Sequence, residues 1–206
     1  MIEIYENAIQ LAVLLFCVNL AVMRSVRYHN QIWIFLALAY SGFALGDCYW
    51  LACLIFFGDT PQIALVSDLS WYTFYLFLYL MLKHVLPEDI RPRKLLPWLG
   101  PVFTVAMAVF FMQWGNYLSN TVTAVLMGLL MYQTIGGLCI LRDQPGDNRR
   151  ALYWVTLVYC LLNYALWIVS CFWDGDTLAN PYYWVDILMT LWFPFFLPAT
   201  GKAVKA

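Results

Sequence analysis

Charged residues are scarce in this chain. They make up 11% of its 206 residues, whereas 64% are apolar and 18% are aromatic. A soluble domain averages about 25% charged residues, and a domain of this size still exposes about a third of the surface of its unfolded chain. The 11 Lys and Arg residues are too few to cover that surface, and a net charge of −1 leaves no basic stripe for nucleic acid. The composition therefore excludes a soluble enzyme, a nucleic-acid-binding protein and a disulfide-stapled secreted module, and it predicts an integral membrane protein.

Several catalytic and cofactor-binding patterns are also missing. The only two histidines, His29 and His84, are too few for a His-based intramembrane zinc site of the ceramidase or adiponectin-receptor type. No lysine lies in the interior of an apolar run, which excludes a retinal Schiff base, and neither a G-x-S-x-G elbow nor a P-loop occurs. The six cysteines form no C-x-x-C pair and are expected to pack as small apolar residues. We expect no metal site and no cofactor.

Seven long apolar runs fill the chain. A helix that crosses a bilayer needs about 20 apolar residues, so seven such helices leave no room for an appended soluble domain. The runs do not alternate polar and apolar residues, as the strands of a membrane barrel would. The sequence predicts one transmembrane domain, residues 1–206, of all-α class with seven transmembrane helices and with kinks at Pro194 and Pro198 in the last. The predicted spans are residues 8–23, 32–57, 67–85, 95–112, 120–141, 151–173 and 183–200.

The basic residues all follow the ends of alternate spans. Lys and Arg stay on the cytoplasmic side of membrane proteins, which predicts an outside N-terminus and a cytoplasmic C-terminus, in the cytoplasmic membrane of a bacterium. Glu3 and Glu6 stand where a secretory signal has its basic region, so we expect the first span to be retained. The basic residues are Arg24, Arg27, Lys83, Arg91, Arg93, Lys94, Arg142, Arg149, Arg150, Lys202 and Lys205.

The two halves of the chain share a spaced pattern. This predicts two parallel three-helix repeats, residues 8–86 and 120–200, joined by a linker helix, residues 95–112. Coincidence is the alternative, because Gly-Asp-Thr is ordinary turn chemistry. Parallel repeats recur among transporters, and the 3-1-3 plan is similar to that of PQ-loop and SWEET-type transporters. The matched positions are Trp50 with Trp167, Gly58-Asp59-Thr60 with Gly175-Asp176-Thr177, Asp68 with Asp186, and Arg24 with Arg142.

Polar side chains within the predicted spans are the candidate site. An acidic residue in mid-membrane costs about 2.5–3.5 kcal/mol on insertion scales, so each one indicates a function. Asp47 lies in the middle of the second span with no basic residue at its depth, and we expect it to be protonated or hydrogen-bonded to Tyr or Asn. Asn163 also lies at mid-depth. Asp68 and Asp186 lie near the outer ends of their spans, where helix capping is the alternative.

Aromatic residues are predicted to form the wall of this site. Five residues share one face of the third helix at helical spacing: Asp68, Trp71, Tyr72, Tyr75 and Tyr79. Interfacial aromatic belts are the alternative for the tyrosines. Aromatic walls with a few acids suit a small, partly apolar molecule, so we expect an outward-facing pocket for a small amphiphilic or polar ligand. The predicted ligand-binding residues are Asn163, Asp186, Trp50, Trp71, Tyr72, Tyr75 and Trp167.

Two short motifs resemble a known family. Leu45-Gly46-Asp47 in one helix and Ser67-Asp68-Leu69-Ser70-Trp71 at the start of the next resemble the YhhN family of small membrane proteins, whose animal members are lysoplasmalogenases. That family usually has eight helices, and it has His, Asp and Gln where this chain has Asp68, Asn163 and Asp186. The resemblance implies hydrolysis of the vinyl ether of a lysolipid. It implies that Asp47 is the general acid and that Asp68 positions water, as the catalytic pair.

Three classes of function stay open. The first is this lysolipid hydrolase, and the second is a proton-coupled transporter or ligand-sensing protein of the same 3-1-3 architecture, with Asp47 as the proton carrier. The third is a structural subunit that stabilises a partner in the membrane. The expected partners are membrane lipid, a small amphiphilic or polar ligand, and either a second copy of the chain or another membrane protein.

Overall fold

The computed structural model describes residues 2–61, 65–86, 95–144, 146–173 and 175–205. In this part of the chain all regular structure is helical, and seven helices are long and apolar enough to cross a membrane. The predicted helical class and the number of spans are therefore confirmed. The basic segment at residues 91–94 lies outside the described residues.

Eight α-helices form the seven spans. The fourth span, Leu96–Trp114, has a 3-10 turn at each end of its α-helix, and the seventh, Pro181–Ala203, is broken by the 3-10 turn Phe193–Phe195. The helices are α1 (Ile2–Tyr28), α2 (Gln31–Phe57), α3 (Leu65–Val85), α4 (Leu99–Phe111), α5 (Tyr117–Ile140), α6 (Arg150–Phe172), α7 (Pro181–Trp192) and α8 (Phe196–Ala203).

The start of the first helix corrects a predicted boundary. The prediction began this span at residue 8, whereas α1 already includes Ile2 and Glu3. The carboxylate of Asp176, in the loop between α6 and α7, accepts the backbone N–H groups of Ile2 at 3.3 Å and Glu3 at 3.2 Å. The first N–H groups of a helix have no partner within the helix, so this distant carboxylate satisfies the new N-terminus. The cap comes from the other half of the chain, and local sequence does not show it.

The seventh span breaks where the sequence predicts its first kink. Pro194 has no N–H group to bond to the carbonyl four residues before it, and α7 ends just before the 3-10 turn that contains it. The hydroxyl of Tyr40 donates to the carbonyl of Phe193 in this turn at 2.6 Å. The second predicted kink is wrong, because Pro198 lies in the first turn of α8, where proline is tolerated, and α8 continues through it.

Six of the spans form a ring. α1 packs against α2, α2 against α3, α3 against α5, α5 against α6, α6 against α7, and α7 against α1. α4 lies outside the ring against α5, and its Phe103 and Phe111 contact Tyr164 and Trp167 of α6. A linker helix outside two three-helix units would give this order of neighbours, and the duplication itself stays a prediction.

Two glycines bring α2 and α3 close together. A Cβ atom added at Gly46 would lie 2.6 Å from Nε1 of Trp71, and one added at Gly42 would collide with the side chain of Thr73. Small residues four apart on one helix allow another backbone to approach, as in the helix pairs of membrane proteins. The close approach carries Trp71 of α3 to the level of Asp47 on α2.

An aromatic cluster fills the middle of the ring. Phe74 packs against Tyr159 with ring centroids 4.8 Å apart, and Phe43 packs against Phe193 at 4.9 Å. Phe74, Tyr159, Phe193 and the adjoining Phe196 have no exposed surface. This cluster is therefore part of the buried core of the bundle.

The outer surface of the bundle is apolar along the helices. Leu45 of α2, Val109 of α4 and Leu161 of α6 expose 64%, 65% and 49% of their surfaces. An apolar surface that continues over several helices requires an apolar surrounding. The chain is a multi-pass integral membrane protein.

Candidate functional site

One cavity of about 550 Å³ lies in the ring, at the end of the bundle that carries the start of α1. It reaches the helix connections at Thr60 and Asn116, which are exposed. Eight of the nine predicted site residues line it: Asp47, Asp68, Asn163, Asp186, Trp50, Trp71, Tyr75 and Trp167. The structure thus brings both mid-depth residues and both outer aspartates to a single space, and whether they bind or catalyse stays a prediction.

Tyr72 does not join this cavity. Its hydroxyl lies 2.6 Å from Oγ of Ser119 on α5, and its ring packs against that of Tyr75. Tyr79, which was predicted on the same wall, is not among the lining residues either. Asp68, Trp71 and Tyr75 form the strip of α3 that lines the cavity. The side chain of Tyr72 lies beside this strip and contacts α5 instead. Tyr72 therefore joins α3 to α5 rather than lining the pocket.

Asp47 is held by an indole. The side chain is 1% exposed, and its Oδ1 accepts the Nε1–H of Trp71 at 3.1 Å. The predicted Tyr or Asn partner is therefore wrong. The other carboxyl oxygen, Oδ2, is buried without a hydrogen-bond partner among the described residues. A buried polar atom without a partner costs free energy, so a group supplied from outside the chain would find an acceptor here.

Asp186 stands in a second polar group, between α7 and α1. Its Oδ1 accepts the amide of Gln10 at 2.9 Å, and the same amide donates to Oγ1 of Thr190 at 2.9 Å. The carboxyl group of Glu6 lies beside that of Asp186, and its Oε2 accepts the amide of Asn7 at 3.1 Å. Asp186 and Glu6 are 3% and 6% exposed, so two carboxyl groups meet inside the bundle.

Capping does not account for the position of Asp186. Asn180 is the N-cap residue of α7, and its side-chain oxygen accepts the N–H of Tyr182 at 2.9 Å. Asp186 lies beyond the first turn that begins at Pro181. Asp68 does lie in the first turn of α3, where its charge is favourable toward the helix dipole, but it also lines the cavity.

A third polar contact lies nearer the mouth of the cavity. Nε1 of Trp50 donates to Oε1 of Glu3 at 3.0 Å, and the ring of Trp50 packs against that of Trp71 with centroids 5.7 Å apart. Between α3 and α6, the hydroxyl of Tyr75 donates to Oδ1 of Asn163 at 3.2 Å. The lining residues Trp50 and Tyr75 thus each have a ring whose orientation is set by a hydrogen bond.

The polar face of α1 was missed from the sequence. Glu3 and Glu6 were interpreted as residues before the first span, and no role was predicted for Asn7 or Gln10. The four positions follow the spacing i, i+3, i+4 and i+7, which places them on one face of a helix. That spacing is visible in the sequence once the helix is extended to Ile2.

The electrostatics of the cavity are one-sided. Four carboxyl groups line it, and the described residues around it include no Lys, Arg or His. A smaller cavity of about 310 Å³ at the opposite end of the bundle is lined by basic residues instead, with Arg24, Lys202 and Lys205 among them. The guanidinium of Arg24 lies 4.9 Å from the centre of the Trp33 ring there. The two ends of the bundle thus differ in the charge of the residues that line their cavities.

Comparison of this chain with family models, with curated proteins and with solved structures finds no match.

Proposed function

We propose that this protein binds a small amphiphilic ligand in the acidic cavity and that the cavity opens to the outside of the membrane. The observation that carries the proposal is the convergence of buried polar residues from several helices on one aromatic-walled space. Ligand sites have volumes of about 300–1,000 Å³, mostly apolar walls and a few placed polar groups. Polar residues that are costly in a membrane are retained where they serve a site.

The outward orientation rests on the distribution of charge. The described basic residues that are predicted to be cytoplasmic lie at the helix ends opposite the acidic cavity. We place the protein in a bacterial cytoplasmic membrane, with the mouth of the cavity at the outer leaflet. An amphiphile in that leaflet has its polar group at the depth of Glu3 and Asp68.

Hydrolysis of a lysolipid vinyl ether is the first chemistry that we propose for the bound ligand. Asp47 supports it, because this lining residue has one carboxyl oxygen oriented by Trp71 and the other without a partner among the described residues. A carboxyl group placed in this way can donate a proton to the double bond. Water then adds to the resulting oxocarbenium carbon, the proton returns to Asp47, and the hemiacetal separates into an aldehyde and the lipid alcohol. Asp68, in the same cavity, positions the water.

Aldehyde release tests this chemistry. The purified protein in lipid nanodiscs is incubated with a lysolipid that carries a vinyl ether and with the matched saturated ether, which contains no double bond to protonate. Aldehyde is expected from the first lipid only, and Asp47→Asn is expected to abolish it while the lipid still raises the melting temperature. The matched control is Asp59→Asn, an exposed carboxylate outside the cavity. If both lipids bind but neither releases aldehyde, the hydrolase is excluded, and the proposal of a ligand-binding pocket is retained.

Proton-coupled transport is the second candidate, favoured by the broken seventh span. Discontinuous helices commonly form the sites of secondary transporters, and Met189 of the cavity lies shortly before the 3-10 turn at Phe193–Phe195. In proteoliposomes, uptake of the ligand that depends on a pH gradient is expected. Asp47→Asn is expected to leave exchange of ligand intact and to remove its dependence on the gradient. If no ligand shifts the melting temperature, the structural-subunit alternative stands instead.

A further inference from the structure

We infer that the polar group of the ligand is an organic cation, an ammonium that lies among the carboxyl groups of the acidic cavity. The inference deepens the proposed function and rests on it, because it assigns a charge to the amphiphile that the cavity binds. It is argued from the carboxyl groups, from the aromatic walls and from the absence of a counter-charge among the described lining residues.

The first argument is charge balance inside the bundle. Glu3, Asp47, Asp68 and Asp186 line the cavity, and no described lining residue is Lys, Arg or His. Buried acidic groups in membrane proteins pair with a basic group or with a ligand. A cationic head group would supply the charge that the chain does not. An anionic group in the same space would face four carboxyl groups without a donor of positive charge.

The second argument is an acceptor that has no partner. Oδ2 of Asp47 is buried and accepts no hydrogen bond from the described residues, in a side chain that is 1% exposed. This atom is an acceptor of the carboxyl type, and an ammonium supplies either N–H donors or a diffuse positive charge. Asp47 is one of the residues that line the cavity.

The third argument is the chemistry of the walls. Cations bind to the faces of aromatic rings, and tryptophan is the best of these. Trp50 and Trp71 line the cavity side by side, and each indole N–H is already bonded to a carboxyl oxygen, of Glu3 and Asp47 respectively. These bonds fix the rings and add electron density to them. An alkyl chain on the ammonium would lie along the remaining apolar walls, such as Phe43 and Phe111.

The test compares three probes that differ in one group. They carry the same octyl chain, attached to trimethylammonium, to its neutral tert-butyl isostere or to sulfate. The purified protein in nanodiscs is titrated with each probe, and the melting temperature and the tryptophan fluorescence are followed. We expect the ammonium probe to act at a concentration at least about tenfold lower than the neutral isostere, and the sulfate probe to have no specific effect.

Two variants distinguish binding of the probes in the cavity from their partition into the lipid of the nanodisc. Asp47→Asn keeps the oxygen that accepts from Trp71 and replaces the other, unpartnered oxygen by an amide NH2 group, which cannot pair with an ammonium. The ammonium probe is therefore expected to bind this variant about tenfold or more weakly. Asp59→Asn removes an exposed carboxylate of the same face and is expected to bind like the unaltered protein.

Each result of this comparison has one meaning. If the neutral and ammonium probes act at equal concentrations, or if the sulfate probe has a specific effect, the inference that the ligand is a cation is wrong. The proposal of a pocket for an amphiphile would not be contradicted by either result. An ammonium effect that is identical in Asp47→Asn and the unaltered protein also overturns the inference of a cation. If none of the three probes acts on the unaltered protein, both the cation and the proposed function fail. The probe series on the unaltered protein decides the question even if a variant does not fold.

Discussion

The indole N–H of Trp71 is bonded to Oδ1 of Asp47 across the interface of α2 and α3, at 3.1 Å, and Oδ2 of the same carboxyl group has no partner among the described residues. The bond therefore concerns both the stability of the fold and the proposed binding site. It holds the aspartate in the wall of the cavity, and it leaves the other oxygen without a partner among the described residues, which we propose to pair with a ligand. The two roles are separable by mutation.

Trp71→Phe is predicted to destabilise the protein by about 1–3 kcal/mol, because it removes the donor that the buried carboxyl group of Asp47 has among the described residues. Asp47→Asn keeps the acceptor oxygen and is predicted to change the free energy of unfolding by less than about 1 kcal/mol. Unfolding in a detergent–denaturant series measures both variants. Asp47→Ala removes the acceptor as well. The loss of ring area is the same in that background as in the unaltered protein, so Trp71→Phe should cost less when Asp47 is already Ala. An equal cost in both backgrounds would show that the bond contributes nothing.

Gly46→Ala is predicted to displace Trp71. The added Cβ would lie 2.6 Å from Nε1 and 2.8 Å from Cδ1 of that ring, closer than carbon and nitrogen atoms pack. We expect a loss of about 1–3 kcal/mol in stability and a loss of the ligand-induced shift in melting temperature. The control is Gly201→Ala, whose Cβ would have its nearest neighbour, Cζ2 of Trp33, at 3.7 Å. That variant should be tolerated, and equal damage from both would contradict the packing argument.

Tyr40→Phe is predicted to weaken the break in the seventh span. Its hydroxyl donates to the carbonyl of Phe193 inside the protein, so its removal should cost about 0.5–1.5 kcal/mol or more. Tyr164→Phe is the matched control, because the buried hydroxyl of Tyr164 has no partner among the described residues. Its removal should be neutral or stabilising. Thermal unfolding compares the two, and an equal loss would mean that the bond to Phe193 does not support the break.

The loop between α5 and α6 is predicted to contribute a pH-dependent increment of stability. The Arg149 side chain bonds to the Asp147 carboxylate, with Nη2 and Oδ2 2.7 Å apart, and lowers the pKa of that carboxyl below its usual range. A lowered pKa stabilises the fold above the unfolded value of about 3.9 and loses that effect as the pH falls through the folded value. Asp147→Asn should therefore be less stable by under about 1 kcal/mol at pH 7, with a difference that shrinks below about pH 4. A constant difference from pH 7 to pH 3 would contradict this.

The arrangement of Asp47, Asp68, Asn163 and Asp186 was predictable because each is a polar residue in an apolar run. Such residues must face the interior of a bundle, and residues at similar depth in a small bundle meet. The interior of a ring of six spans is small enough that all four reach one cavity. The number of spans was predictable for the same reason, since apolar length sets it.

The contacts made by α1 were not predictable in the same way. Its start depends on Asp176, which lies in the loop between α6 and α7, and its polar face is matched by Asp186 on α7. Both contacts join residues far apart in the chain, and they depend on the closure of the ring. The choice of Trp71 as partner of Asp47 likewise depends on Gly42 and Gly46, which set the distance between two helices. Local periodicity carries no information about these distances.

Cys171 offers the most direct test of an acidic cavity that opens outward. This cysteine lines the cavity and is partly exposed, and the other five cysteines can be replaced by alanine. In intact cells, two membrane-impermeant methanethiosulfonates are compared, one with a trimethylammonium group and one with a sulfonate, each rate being divided by the rate with a free thiol. The account predicts modification from outside, with the cationic reagent favoured by about tenfold or more and the preference reduced by Asp47→Asn. Modification only from the cytoplasmic side, or equal normalised rates for the two reagents, would contradict it.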